Sequence, residues 1–171
     1  MNNLSFHITD ITANSIRANA SEIGLSVEEQ DTRIVIRITD NGLGMDAETA
    51  RRVTNPFYTT RTTRKVGLGL PFLIQNAEQT GGSVTLTSAP GKGTKVRAVF
   101  HSDHIDCPPW GDLPGTVALL ITGNPEINVC FEYRSGETGY SISTNEIKEI
   151  LDGVPLSHPK VMLLIKEMIK E

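Results

Sequence analysis

Asp10 and Asn14 stand four residues apart in the run Asp10-Ile11-Thr12-Ala13-Asn14. On a helix that spacing puts a carboxylate and a primary amide on one face. The carboxylate can take or orient a proton, and the amide carbonyl is a hard oxygen of the kind a small divalent cation accepts. Asp40 ends a β-branched run and opens Asn41-Gly42-Leu43-Gly44. A carboxylate fixed at a strand end accepts an N–H donor, and the glycines allow a sharp turn and close approach of the backbone. Gly67-Leu68-Gly69-Leu70 feeds the start of a helical pattern, where bare backbone N–H groups and the positive end of the dipole suit an anion. Gly91-Lys92-Gly93-Thr94 sits at a hairpin. Each segment alone has an ordinary account: a wet helix face, an Asp-Asn-Gly turn, a glycine connector, a tight turn.

The four in this order, ending near residue 100, resemble the nucleotide site of the GHKL family: DNA gyrase, heat-shock chaperone ATPases, histidine kinases and mismatch-repair ATPases. Gly67-Leu68-Gly69-Leu70 and the preceding Asn55-Pro56-Phe57-Tyr58-Thr59-Thr60 resemble the histidine-kinase form in particular. The resemblance implies Mg-ATP as ligand. Asp40 would accept the exocyclic amine of adenine, which selects against guanine. Gly42 and Gly44 would approach base and ribose, and Gly93 would let the strands approach the nucleotide while Thr94 adds a hydroxyl near Asp40. Asn14 would hold Mg2+. Gly67, Leu68, Gly69 and Leu70 would receive the phosphates, Phe57 would pack under a lid, and Arg61, Arg64 or Lys65 would reach the γ-phosphate, with no choice among the three. Asp10 would serve the attacking water. The family's hydrolases usually place glutamate at that position and many histidine kinases asparagine, so aspartate leaves hydrolysis and phosphotransfer both open. P-loop and dinucleotide signatures are absent, and the four histidines have no zinc spacing.

The elements that would position these residues follow from periodicity. A helix is expected over about Leu4 to Ala20, with Leu4, Ile8, Ile11, Ser15 and Ala18 as its inner stripe and His7, Asp10, Asn14 and Arg17 on the adjoining face. His7 and Arg17 read there as solvated. Glu22–Val27 and Arg33–Ile38 alternate as a strand hairpin linked by the polar run Glu28 to Asp31. Asp46 caps a short helix to Val53, stopped at Asn55-Pro56. Tyr58 to Val66 is a basic loop, and a helix runs from Leu70 or Pro71 to Gln79 before Gly81-Gly82. Ser83–Ser88 and Lys95–Phe100 are strands. The fold class expected is α+β, a two-layer sandwich with a mixed, mainly antiparallel sheet and helices on one face: the Bergerat fold implied by the resemblance.

Residues 1–101 then form a histidine-kinase-like ATP-binding domain, 102–115 a linker broken by Pro108-Pro109 and Gly111, and 116–171 a C-terminal β-β-α-α extension. In that extension Thr116–Ile121 and Ile127–Tyr133 read as strands, Gly139–Ser143 as a third, with helices near Thr144–Leu151 and from Ser157 through Ile169.

A net charge of −4 supplies no broad basic surface, so nucleic acid is not expected as a partner. The local clusters Arg51-Arg52 and Arg61 to Lys65 fit a solvated face or an anion site equally. No apolar run is long enough for a bilayer, no leader pattern opens the chain, and Cys107 and Cys130 make no metal pattern or disulfide framework, which points to a cytoplasmic protein with reduced thiols. The resemblance implies a stand-alone ATPase or protein kinase in signal transduction. It would hydrolyse ATP slowly or pass phosphate to a protein partner, as anti-sigma-factor serine kinases and sensor kinases do, with room for a homodimer. The alternative is a non-catalytic, ATP-gated interaction module.

Overall fold

The computed structural model describes residues 3–54 and 69–169. The elements in chain order are α1 (Leu4–Arg17), β1 (Glu22–Gln30), β2 (Arg33–Asp40), α2 (Ala47–Val53), α3 (Gly69–Gln79), β3 (Ser83–Ala89), β4 (Gly93–His101), α4 (Leu113–Thr122), β5 (Asn128–Ser135), β6 (Thr138–Ser143), α5 (Thr144–Leu151) and α6 (Pro159–Ile169). The strands form one six-stranded sheet in the order β3-β4-β2-β1-β5-β6. β1 and β5 run parallel, and the other neighbours are antiparallel. The α+β class, the mixed and mainly antiparallel sheet and the Bergerat architecture are therefore as expected.

One face of the sheet carries the core. Ile23, Leu25 and Val27 of β1, Ile34, Ile36 and Ile38 of β2, Val96, Ala98 and Phe100 of β4, and Val129 and Phe131 of β5 are buried under the helices. The alternate residues of β1 and β2 include Ser26, Glu28, Arg37 and Thr39, a polar face on which Arg37 and Glu28 form an ion pair at 3.3 Å. This apolar-in, polar-out alternation is what a half-buried sheet requires. α1 packs on α3, α4 and β2, and α4 packs in turn on α6 and β5.

Local chemistry explains most boundaries. Asn3 caps α1 by accepting from the Phe6 N–H at 2.6 Å. α1 stops at Arg17, short of the expected Ala20, because Asn19 turns left-handed (φ 63°) and the Ala18 and Ala20 N–H groups close onto Asn14 and Ser15 carbonyls. β1 continues through Glu28, expected as loop, to Gln30, and the hairpin turns on Asp31 (φ 56°) and Thr32. Asp46 caps α2 as expected, accepting from Thr49 N at 2.8 Å.

Thr116–Ile121 is not a strand but the body of α4. Val117, Ala118, Leu120 and Ile121 are all buried, so the run has no period of two, and a short apolar run alone fits a buried strand as well as a buried helix. The deciding signals lie at its ends: Asp112 accepts from Gly115 N at 3.0 Å, Pro114 stands in the first turn, and Gly123 follows the last. Before α4, the carbonyls of Pro109 and Trp110 accept from Leu4 and Ser5 N–H at 2.8 and 3.0 Å, tying this stretch to the start of α1. Among the described residues no helix is long and apolar enough to cross a membrane.

Candidate functional site

Strands β2, β3 and β4 and helices α1 and α3 bring the described parts of the four segments together. β2 and β4 pair so that Asp40 lies opposite Thr94. Their turns interlock: the Gly91 N–H donates to the Leu43 carbonyl at 2.7 Å, and the Leu43 N–H to the Ala18 carbonyl at 2.9 Å. The glycines are needed where backbones touch. A Cβ on Gly44 (φ 72°) would lie 2.0 Å from the Ala89 carbonyl oxygen, and one on Gly93 (φ 85°) would lie 1.9 Å from that of Asp40. At the other wall, Gly69 opens α3 against Asp10, with 3.1 Å between an added Cβ and the Asp10 Cβ.

Between these walls is a pocket of about 190 Å³, with Asp40, Asn14, Arg17 and Thr94 among its polar lining and Ile11, Ile38, Met45, Leu70 and Val96 among its apolar lining. Asp40 is held at both oxygens. Ser15 Oγ donates to Oδ2 at 2.6 Å and the Gly42 N–H to Oδ1 at 2.9 Å. Ionised, each carboxylate oxygen keeps a free lone pair for one more donor. Thr94 Oγ1 lies 2.8 Å from Ser88 Oγ, and Ser88 also donates to the Gly93 carbonyl at 3.0 Å and accepts from Met45 N at 2.8 Å. Since Ser88 has one proton, Thr94 donates to it and keeps its own lone pairs.

On α1, Asn14 Oδ1 accepts from Arg17 Nη2 at 2.5 Å. Burial pushes the Asp10 carboxyl above its usual range, and the Arg17 charge opposes that shift. Arg17 is exposed, as read from sequence, and also lines the pocket. His7, also read as solvated, is instead 2% exposed. The covering of α1 by α3 removes its expected wet face: His7 meets the edge of Phe72 with centroids 5.4 Å apart and stacks at 6.4 Å on Phe100. Asn76 Nδ2 donates to its Nε2 at 2.7 Å, and burial lowers its pKa to about 4. Ser15 and Ser88 were missed. Ser15 looked like part of a small-residue stripe, and Ser88 like an ordinary strand residue; only the tertiary pairing reveals their hydroxyls.

A family model described as histidine kinase-, DNA gyrase B-, and HSP90-like ATPase matches residues 3–104. The chain belongs to this ATPase family. It is similar to a putative sensor protein of Shewanella frigidimarina, 32% identical over 97 residues that make up 54% of this chain and 15% of that protein. It is also similar to the sensor histidine kinase YxdK of Bacillus subtilis, 29% identical over 104 residues, 57% of this chain and 32% of the kinase. The chain thus matches a third or less of either relative's length. Among solved structures, the N-terminal domain of a DNA repair protein superposes with a TM-score of 0.61 at 16% identity, over 84% of this chain and 52% of that one. The Aquifex aeolicus MutL ATPase domain, solved with ADP, gives 0.54 at 14% identity, over 89% and 70%. At such identities these two structures show the shared fold.

Of the residues the sequence assigns to this ATPase-family site, Asn14, Asp40, Gly44, Leu70 and Thr94 line the pocket, Gly42 and Gly93 touch Asp40, and Asp10 and Gly69 meet each other beside Leu70. Phe57, Arg61, Arg64, Lys65, Gly67 and Leu68, and with them the expected lid Tyr58 to Val66, lie outside the described residues.

Proposed function

We propose that this domain binds Mg-ATP and passes the γ-phosphate to water or to a protein side chain. The observation that carries the reading is the Asp40 carboxylate, held at both oxygens in the wall of a pocket it shares with Ile38, Met45 and Val96. A mainly apolar pocket with one oriented acceptor suits adenine: the ring is desolvated, and its exocyclic amine finds a lone pair where guanine would present a carbonyl. Thr94 supports the same end of the base with acceptor capacity.

From Asp40 the pocket runs along α1 past Asn14 to Ile11, which Asp10 precedes in the chain. The Asn14 carbonyl lines the pocket and suits a cation that takes few protein oxygens and keeps phosphate and water as its other ligands. Bound there, Mg2+ would neutralise charge on the phosphate chain. Arg17 would release the Asn14 carbonyl and turn its guanidinium to the same phosphates. The N-terminus of α3, with Gly69 and Leu70, offers first-turn N–H groups that need no partner within the helix, and the positive dipole end. Asp10 stands beside it, and its raised pKa makes it a better proton acceptor near neutrality than an ordinary aspartate. The named resemblance to sensor kinases supports a protein as phosphate acceptor in signal transduction, in the cytoplasm where ATP is supplied.

The test follows γ-labelled ATP. Label should leave ATP slowly as phosphate with the chain alone and move to protein when the acceptor is present. Asp10→Asn should keep nucleotide binding and lose both transfers. Binding without any transfer by the parent chain would reduce the domain to an ATP-gated interaction module.

A further inference from the structure

At the far end of the β1–β2 hairpin from Asp40, a second cleft opens between the sheet and the helices. Its volume is about 500 Å³, and Glu29, Trp110, Tyr133, Tyr140 and Ile169 line it. Glu29 continues the row Ile23, Leu25, Val27 of β1, whose three apolar members are 1% exposed. Glu29 ends that row half-buried, a place where a carboxylate needs partners because even partial removal of charge from water is costly. Two aromatic donors meet it. Trp110 Nε1 donates to Oε2 at 2.5 Å and the Tyr133 hydroxyl to Oε1 at 2.8 Å. Tyr140 continues the aromatic wall, its ring 5.6 Å from that of Tyr133 and its hydroxyl donating to the Ile169 carbonyl at 2.9 Å.

None of these donors carries a charge. Among the described residues Glu29 has no ion-pair partner, the ion pairs being Arg37–Glu28, Arg52–Glu48 and His104–Asp106. An anion with two neutral donors and a flanking set of π faces is half of a recognition unit. Aromatic faces present negative quadrupoles, and together with a carboxylate they favour a soft, weakly hydrated cation over water. A small metal ion would want several more oxygens, and an anion would meet Glu29.

We infer that the Glu29–Trp110–Tyr133–Tyr140 cleft is a binding site for a small organic ammonium ion, methylated or primary. The site is separate from the nucleotide pocket and does not depend on the function proposed for it. Tyr133, with its pKa pushed up to about 12 by burial and by Glu29, stays a donor at any physiological pH and holds the carboxylate in place.

Trp110 is the single tryptophan of the chain, so its fluorescence reads the cleft directly. The intact protein is titrated with tetramethylammonium and choline, and in parallel with 3,3-dimethylbutanol, which replaces the charged nitrogen of choline by carbon, all at constant ionic strength. Saturable change with the two cations and none with the neutral analogue is expected. Glu29→Gln should weaken cation binding at least about tenfold, while Asp40→Asn should leave it unchanged. No saturable change with either cation, an equal response to the neutral analogue, or undiminished binding by folded Glu29→Gln would overturn the assignment. So would binding seen only after Lys170, which follows Ile169 in the sequence, is replaced in Lys170→Ala, or binding confined to a trimethyllysine peptide.

Discussion

Asp40 and Glu29 are the same chemical group at opposite ends of one hairpin. Asp40 pairs with Ile23 at the end of β2, and Glu29 pairs with Ile34 beside the turn. Both terminate a core-facing row, and both have a donor on each carboxylate oxygen. The difference lies in what holds them. Asp40 is held by a backbone N–H two residues away and a small hydroxyl, in a place where glycines let chains touch. Glu29 is held by a tryptophan 81 residues later and a tyrosine 104 residues later. The first arrangement leaves a narrow slot shaped by backbone, and the second leaves an open cleft walled by side chains. A backbone-built site breaks when a turn is altered, whereas a side-chain-built site yields one group at a time.

The largest effect should follow from testing that contrast at its glycines. Gly44→Ala forces a left-handed alanine and drives a Cβ to 2.0 Å from a carbonyl oxygen; the expected loss is about 3–5 kcal/mol, together with nucleotide binding. Gly136→Ala, in the β5–β6 turn beside Glu29, has φ 62° but nothing within 4 Å of the added Cβ and should cost about 1 kcal/mol. Denaturant melts of the two variants decide it, and equal losses would erase the distinction between the ends.

His7 tests the region between them. Its folded pKa of about 4 lies below the ordinary value of 6.5, so the unfolded chain takes up the proton first. Stability is therefore full above pH 6.5 and falls as pH drops toward 4, by about 3 kcal/mol from this group. Melts across that window should show the slope, and His7→Phe should flatten it; an unchanged slope would mean that His7 is not the group being charged.

Asp40→Asn comes next. It turns an acceptor oxygen into a donor facing donors, at about 1–3 kcal/mol, so calorimetry should show ATP affinity down by about tenfold to a hundredfold. Affinity equal to the parent's would remove Asp40 from the base contact. The smallest effects belong to Ser15→Ala and Tyr133→Phe, each deleting one donor to a carboxylate, at about 0.5–1.5 kcal/mol. The first should appear in nucleotide affinity and the second in stability alone. A nucleotide effect from Tyr133→Phe would show the two ends to be coupled.

The same contrast explains what could be read from sequence. Asp40, Gly42 and Gly44 carry a signal because turn, ligand acceptor and backbone approach are built within five consecutive residues. Asp10 and Asn14 carry one because a helix turn puts them together. The strands β2, β3 and β4 carry apolar residues at alternating positions, though Val35 and Val99 are also buried on the face opposite the core row. Glu29 gave no signal, since its partners are distant, and the residues Glu28 to Asp31 read simply as polar. His7 was misread because helix periodicity says which residues share a face but not how many faces a neighbour will cover, and α3 covers the second. The helix α4 was misread for the complementary reason: it packs on α1, α6 and β5, and its exposed position is the apolar Leu119, so it left no polar stripe to mark its period.

The parallel pairing of β1 with β5 also sets a schedule for the growing chain. β1 and β2 meet across a two-residue turn, but β5 reaches β1 only after roughly a hundred further residues have been made. Through that interval one edge of β1 presents its N–H and C=O groups to any extended strand nearby, and contacts that close so long a loop form late. Refolding watched by amide exchange should therefore protect Val35 to Ile38 before Val129 to Phe131, and simultaneous protection would rule this order out. A ribosome-bound chain that has finished β4 holds every described residue of the Asp40 pocket yet still has an unsealed flank, so the last third of the protein acts on its first strand as a resident chaperone would.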